Sequence, residues 1–172
     1  MKIAIGLSRS DTWLSRAIRW FGKRKTGEAR YSHAFIKIDD LVVEQYGMGL
    51  KCNSYEKRFS TKTHILYYAN FLTTKERKEL REFALSQLGK FKSGYGFLKI
   101  PLFALDGLFK TYKFTQWLGV SNFKVCSEWV AYVFYKSVDY VGFKNWRTLS
   151  PDDIDDSLRG SSIWKSEVIS VD

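Results

Sequence analysis

Cys126 follows a polar, lysine-bearing stretch and opens a run of about a dozen mostly apolar residues, a pattern typical of a buried helix. The first turn of a helix has unpaired backbone N–H groups and carries the positive end of the helix dipole, and both stabilise a thiolate. The same N–H groups can later bind an oxyanion. A cysteine at this position therefore indicates a nucleophile, and the upstream His33 is the residue that could act as its base.

A predicted hairpin places a third polar residue beside His33. Residues 32–38 and 41–46 are rich in β-branched and aromatic residues and are separated by only two aspartates, so we expect two antiparallel strands joined by a tight turn. In that register Phe35 lies opposite Glu44. His33 and Glu44 are then diagonal neighbours on one face, roughly 7 to 8 Å apart at the backbone, which lets the carboxylate orient the imidazole.

Each of these residues also has a structural interpretation. A cysteine in an apolar helix is often a small buried hydrophobic residue, and a histidine or glutamate in a strand often has no catalytic role. The occurrence of Cys126, His33 and Glu44 together favours a catalytic site over these structural interpretations. His64 has no acidic neighbour in sequence and is interpreted as structural, and Cys52 is interpreted as a buried or incidental thiol.

The sequence predicts neither a metal site nor a cofactor. Its two cysteines and two histidines have no C-x-x-C or H-x-x-x-H spacing. The glycines at positions 94 and 96 lack the further glycines and the lysine of a phosphate-binding loop.

Length and charge set the broad class. A chain of 172 residues is expected to form a single domain, residues 1–172, with a sizeable core. The net charge of +10 favours acidic partners such as nucleic acid, anionic lipid or polyanionic glycans. The basic residues are scattered in short groups, so a solvated surface explains the charge equally well. We therefore predict an anionic surface as an optional partner and no specific nucleic acid.

The apolar runs of the sequence bear on membrane contact. No run reaches the roughly 18 residues that a membrane span needs. The closest, residues 97–109, is interrupted by Lys99, Pro101 and Asp106; it is expected to pack in the core, with a lid or a membrane-touching segment as alternatives.

No secretory signal is visible and two cysteines do not support a disulfide framework, so we expect a cytoplasmic protein, with a viral origin and a host-cell cytoplasm left open.

Further elements follow from periodicity and capping signals. Thr73 and Glu76 have capping-box spacing at the start of a helix that Gly89 is placed to end. Strands early in the chain and buried helices later indicate an α+β domain. The remaining predicted elements are strands over 2–7, 63–68 and 163–169 and helices over 12–21, 126–137 and 151–158.

The order of these parts resembles the permuted papain-like cysteine hydrolases of the NlpC superfamily, in particular the YiiX-like branch. The resemblance covers nearly the whole chain, and five segments carry it: Tyr31-Ser32-His33-Ala34-Phe35-Ile36, Val42-Val43-Glu44-Gln45, Gly89-Lys90-Phe91, Val125-Cys126-Ser127-Glu128-Trp129-Val130 and Ser150-Pro151-Asp152-Asp153-Ile154. In that group the histidine strand precedes the cysteine helix, and the strand after the histidine carries a glutamate.

The resemblance implies a circularly permuted papain-like fold, in which an antiparallel sheet packs against a buried helix carrying the cysteine. It implies that Cys126 is the nucleophile, His33 the base and Glu44 the residue that orients the base. The backbone N–H of Cys126 would help to bind the oxyanion. Tyr31, Ser32 and Ser127 are expected to contact the substrate.

The preferred interpretation is a cysteine peptidase or amidase, a thiol protease in the broad sense, acting on a peptide or isopeptide bond. Relatives of the lecithin retinol acyltransferase type act on acyl lipids, so a lipid or thioester acyl hydrolase or acyltransferase is an alternative. A second alternative is a non-catalytic basic module that binds nucleic acid or an anionic surface through Trp13, Trp20, Tyr31 and residues 23–25.

Overall fold

An antiparallel sheet forms one layer of the structure. The computed structural model describes residues 1–9, 15–16, 29–46, 49–89 and 125–171. Within them the sheet has six strands in the order β4-β3-β2-β1-β5-β6, and every neighbouring pair is antiparallel. The strands are β1 (Ile3–Ser8), β2 (His33–Ile38), β3 (Leu41–Tyr46), β4 (Gly49–Ser54), β5 (His64–Tyr68) and β6 (Lys165–Ile169).

The described residues also contain four α-helices and two short 3₁₀ turns, so the predicted α+β class is confirmed. The helices are α1 (Tyr55–Phe59), α2 (Thr74–Ser86), α3 (Cys126–Val138) and α4 (Pro151–Leu158), and the 3₁₀ turns are Val141–Phe143 and Trp146–Thr148.

The β2–β3 hairpin has the predicted register. Ile36 pairs with Val43 and Ile38 with Leu41, which leaves a two-residue turn in which Asp39 has a φ of 49°. The hydrogen-bonded ladder ends at the Ile36–Val43 pair. The first three residues of β2 therefore extend beyond the last paired position of β3.

The main core lies between the sheet and α3. All six residues of β1 are buried. From α3, Trp129, Val130, Val133 and Phe134 are completely buried in the same cluster as β1 side chains. Removing an aliphatic or aromatic side chain of this size from water contributes about 1.5 to 3 kcal/mol, so this contact fixes the position of α3 on the sheet. A smaller cluster around Phe35 and Phe59 covers the other face of the sheet.

The predicted capping box of Thr73 and Glu76 is confirmed, and the predicted helix over residues 151–158 begins with a cap of the same kind. The side chain of Thr73 accepts from the N–H of Glu76, and Glu76 bonds back to the backbone N–H of Thr73. Ser150 and Asp153 form the same reciprocal pair at the start of α4. The helix that begins after Thr73 ends at Ser86, and Gly89 follows with a positive φ of 75°.

The sequence did not predict β4 or α1, although strands and helices elsewhere match the predictions closely. The expected helix over residues 12–21, except for positions 15–16, and the segments 94–96 and 97–109 lie outside the described residues. Within the part of the chain that the structure describes, no helix is long and apolar enough to cross a bilayer. Nor does that part bring three or more His, Cys, Asp or Glu side chains together as metal ligands.

Candidate active site

Cys126 is the first residue of α3, as predicted. The preceding Val125 has an extended backbone, and its carbonyl accepts the first helical hydrogen bond from the N–H of Trp129 at 2.9 Å. Glu128, buried in the first turn, accepts the N–H of Val125 at 3.1 Å and so fixes the point at which the helix begins. Cys126 itself is 4% exposed and lies at the positive end of the helix dipole.

The sulfur of Cys126 is surrounded by hydrogen-bond donors. The side chain of His33 bonds to it, and so do the backbone N–H groups of Ala34 and Ser127. Burial alone would raise the pKa of the Cys126 thiol. The charge and hydrogen bond of His33, followed by the two backbone N–H groups, outweigh burial and lower that pKa below its ordinary value.

The end of the β2–β3 ladder explains why the Ala34 N–H is available. In a two-residue hairpin the closing pair is hydrogen-bonded, and alternate residues of a strand direct their N–H groups to the same side. Because Ile38 closes the hairpin, the N–H of Ala34 points towards β3, yet the ladder stops at Ile36. The separation of the two strands thus leaves a backbone donor for the sulfur at the start of α3.

His33 connects Cys126 to Glu44. The Nε2 atom of His33 lies 2.7 Å from Oε2 of Glu44, so Nδ1 is the ring nitrogen left to face the sulfur. Burial lowers the pKa of His33, but the charge and hydrogen bond of Cys126 and then the hydrogen bond and charge of Glu44 raise it to about 9. The lowered thiol pKa and the raised imidazole pKa favour a thiolate–imidazolium pair at neutral pH.

Glu44 is completely buried and has a second partner, Arg58 on α1. The Nε–H of Arg58 donates to Oε1 of Glu44 at 2.5 Å, and Nη2 lies 3.4 Å from Oε2. Burial raises the pKa of Glu44, but hydrogen bonds from His33 and Arg58, and then the charges of both, lower it to about 2. The carboxylate is therefore ionised throughout the neutral range.

The residues predicted to contact substrate have different surroundings. Ser127 is buried and its Oγ–H donates to the carbonyl oxygen of Leu149 at 2.6 Å, so its side chain ties α3 to the chain before α4. The Ser127 side chain therefore has a structural partner and its backbone N–H bonds to the sulfur, while its substrate contact remains a prediction. Ser32 is 3% exposed and its N–H donates to the carbonyl oxygen of Ser8 at 3.1 Å, and its substrate contact also remains a prediction. Tyr31 is half-buried, and its substrate contact remains a prediction.

Asp152 positions the segment before His33, a role that the sequence did not reveal. Its Oδ1 accepts the backbone N–H groups of Arg30 and Tyr31, each at 3.1 Å. From sequence, residues 151–158 are predicted only to form a helix, and the acids of its first turn carry no signal for a contact with residues 30–31. Asp155, also on α4, is buried, and its Oδ2 lies 3.0 Å from the guanidinium of Arg30. This ion pair further joins α4 to the segment before His33.

His64 has a structural environment, in agreement with its interpretation from sequence. It is buried; its Nδ1–H donates to the carbonyl of Lys62 and its Nε2 accepts from the Tyr55 hydroxyl, both at 2.5 Å. Burial lowers the pKa of His64, which keeps the ring neutral. Cys52 is exposed on β4, so the first of its two interpretations, a buried thiol, is wrong and the incidental thiol is left. Partial desolvation raises the pKa of this thiol.

No protein-family model matches the chain, and no curated protein sequence matches it. The geometry of the site is therefore the evidence for its chemistry. An activated thiol, an imidazole that can exchange a proton with it, and an ionised carboxylate that holds the imidazole are the parts required for nucleophilic acyl transfer.

Proposed function

We propose that this protein is a thiol hydrolase that cleaves a peptide or isopeptide bond through an acyl-enzyme on Cys126. We further propose that it has the permuted papain-like fold of the NlpC superfamily and belongs to the YiiX-like branch. The observation that supports this most strongly is the position of His33, whose ring bonds to the Cys126 sulfur on one side and to Glu44 at 2.7 Å on the other.

The acylation step uses the thiolate and the imidazolium in turn. The Sγ of Cys126 attacks the substrate carbonyl carbon, a C–S bond forms and the carbonyl electrons move to oxygen. The N–H at the start of α3 is placed to donate to that oxyanion. When the intermediate collapses, the C–N bond breaks and Nδ1 of His33 gives its proton to the departing amine.

Deacylation reverses these roles. The neutral His33 accepts a proton from water while the water oxygen attacks the thioester carbonyl carbon. The C–S bond then breaks, a carboxylic acid leaves, and the thiolate–imidazolium pair is restored. Glu44 remains an anion and holds the imidazole in one orientation throughout.

The order of the elements agrees with the permuted arrangement. His33 lies on an early strand, Glu44 on the strand hydrogen-bonded to it, and Cys126 on a later helix that packs against the sheet. Residues 97–109, on which the acyl-lipid alternative depended, lie outside the described residues, as do Trp13, Trp20 and residues 23–25 of the binding-module alternative. The proposal therefore depends on the three residues of the site.

Trapping of the acyl-enzyme tests the proposal. The protein is incubated with panels of peptide amides, isopeptides, short-chain esters and acyl thioesters, and the reaction is quenched in acid. After digestion, mass spectrometry measures the masses of the peptides that contain Cys126 and Cys52. We expect an acyl adduct on Cys126 in the native chain and in Cys52→Ser, and none at that position in Cys126→Ser. Turnover of esters or thioesters, with no turnover of amides, would favour the acyl-lipid alternative. The absence of an adduct with every panel would contradict acyl-enzyme chemistry.

A further inference from the structure

Arg58 lies directly behind the carboxylate of the proposed catalytic site. The two oxygens of Glu44 have separate principal partners: Oε2 faces His33 at 2.7 Å, and Oε1 accepts from Nε of Arg58 at 2.5 Å. The Arg58 side chain is 23% exposed, whereas that of Glu44 is 1% exposed. The guanidinium thus closes the site on the side away from Cys126.

We propose that Arg58 is a positioning residue that acts through Glu44, holding it as an anion while His33 alternates between its charged and neutral forms. This inference rests on the proposed function, because it concerns the proton that His33 is expected to carry during turnover.

Glu44 is a completely buried carboxylate and therefore needs compensating partners. A buried charge is strongly disfavoured unless it is paired and hydrogen-bonded. In the resting site Glu44 has two cationic partners, the imidazolium of His33 and the guanidinium of Arg58. Once His33 has given its proton to the leaving group, the Arg58 guanidinium still provides a full charge at hydrogen-bonding distance from Glu44.

Arginine is suited to this role because its guanidinium does not lose its proton in proteins. Without it, the buried Glu44 would compete with the substrate for the His33 proton. The imidazole would then be a poorer acid towards the leaving group. With Arg58 in place, proton transfer is restricted to His33, Cys126, the substrate and the attacking water.

Other charged groups face Glu44 and must be considered. Lys51 is its cross-strand partner on β4 and is exposed. Lys62 follows α1; burial and the charge of Arg58 lower its pKa, and the charge of Glu44 raises it. On the other side are His33 and, through it, Cys126. Lys62 is therefore a cation that senses the same carboxylate, and it provides a control for the general effect of charge.

The test is the pH dependence of iodoacetamide labelling of Cys126, followed by mass spectrometry, in the native chain and in Arg58→Met, Arg58→Gln, Arg58→Lys and Lys62→Met. Arg58 lowers the pKa of Glu44 through its hydrogen bond and its charge, so its removal lets the carboxylate take up a proton more readily. A protonated Glu44 supports the imidazolium of His33, and with it the paired thiolate, less strongly. We expect the labelling midpoint to move about one pH unit upwards in Arg58→Met and Arg58→Gln. Arg58→Lys keeps the charge, and Lys62→Met removes a more distant one, so both should remain within about a third of that shift.

The outcomes separate this inference from the function on which it rests. If Cys126 of the native chain labels no faster than Cys52 at low pH, the site has no activated thiol and both proposals fail. Suppose instead that the native chain shows the activated thiol and that Arg58→Gln keeps the native labelling midpoint. Arg58 is then merely structural, whatever its effect on the labelling rate or on stability, and this inference alone is overturned. Equal shifts in Arg58→Gln and Lys62→Met would also overturn it, since general surface charge would then be the cause.

Discussion

The Nε2 atom of His33 lies 2.7 Å from Oε2 of Glu44, although the ladder between their strands has already ended at the Ile36–Val43 pair. The two side chains therefore meet where β2 and β3 are no longer hydrogen-bonded to each other. The same separation leaves the N–H of Ala34 available to the Cys126 sulfur. One break in the ladder thus brings the base, the carboxylate and the nucleophile together.

Replacing Glu44 by Gln should weaken thiol activation. A neutral amide keeps the size of the side chain but loses the negative charge that helps to raise the pKa of His33. The imidazolium and the paired thiolate become less stable, so we expect iodoacetamide labelling of Cys126 at pH 6 to slow by about tenfold, the equivalent of one pKa unit. Glu167→Gln, which changes an exposed glutamate bonded to Tyr68, is the matched control and should leave the rate unchanged.

Glu44 should also make stability depend on pH in the acid range. Its pKa is lowered to about 2 in the folded chain, from an ordinary value of 4.5, so the unfolded chain binds the proton more readily. The stabilisation is therefore fully present above about pH 4.5 and is lost as the pH falls towards 2. Urea unfolding should show that the native chain exceeds Glu44→Gln in free energy of unfolding by up to about 3 kcal/mol at pH 5.5, and by much less at pH 2.5. A difference that does not depend on pH would mean that the ionisation of Glu44 contributes nothing to stability.

Asp152 should support the site from outside it. Asp152→Ala removes the acceptor of two backbone N–H groups in the segment before His33, so we expect a loss of about 1 to 2 kcal/mol in stability and a severalfold slower labelling of Cys126. Asp152→Asn keeps an oxygen acceptor and should recover much of both. Asp156→Ala, which removes an exposed ion pair with Arg30, is the control and should cost less than about 1 kcal/mol. Equal effects of the two alanine variants would contradict the role given to Asp152.

The two histidines should titrate far apart. The pKa of His33 is raised to about 9 by Cys126 and Glu44 against the effect of burial, whereas burial lowers the pKa of His64 below its ordinary value of 6.5. Nitrogen-15 spectra of the two imidazoles across pH 4 to 10 should show one ring charged at neutral pH and one ring neutral. His64→Gln should remove the neutral signal and so assign both. Two rings titrating together near pH 6.5 would be incompatible with the site described.

The sequence predicted the hairpin and the helix starts because those features depend on local signals. The two aspartates between residues 32–38 and 41–46 set the register, and side-chain caps such as Thr73 set the first turn of a helix. The relation of His33 to Glu44 followed from that register alone. These parts of the site could be read without any knowledge of how the helices pack.

The parts that the sequence did not predict depend on contacts between distant segments. β4 contains Gly49, Asn53 and Ser54, which are weak strand formers, and it pairs along β3 from Tyr46 to Leu41. α1 has only five residues and no side-chain cap, so it lacks a local helix signal. Arg58 lies on that helix, and its contact with Glu44 could not be predicted without both elements.

The burial of Ser32 and Ser127 is another feature that the sequence did not predict, because it too depends on contacts between distant segments. Both adjoin the proposed catalytic residues in sequence, which suggested substrate contacts. Ser32 lies just before β2, and in a helix the side chains of neighbouring residues such as Cys126 and Ser127 are separated by about 100°. Ser127 accordingly turns away from the sulfur and donates to Leu149.

The measurement that tests the central claim most directly is the rate of iodoacetamide labelling of Cys126 against pH, in the native chain and in His33→Ala, with the exposed Cys52 as the internal reference. The account predicts that Cys126 labels faster than Cys52 below neutral pH, in spite of its burial, and that His33→Ala abolishes the difference. Labelling of Cys126 that is no faster than that of Cys52, or that His33→Ala leaves unchanged, would contradict the thiolate–imidazolium pair and the hydrolase proposed from it.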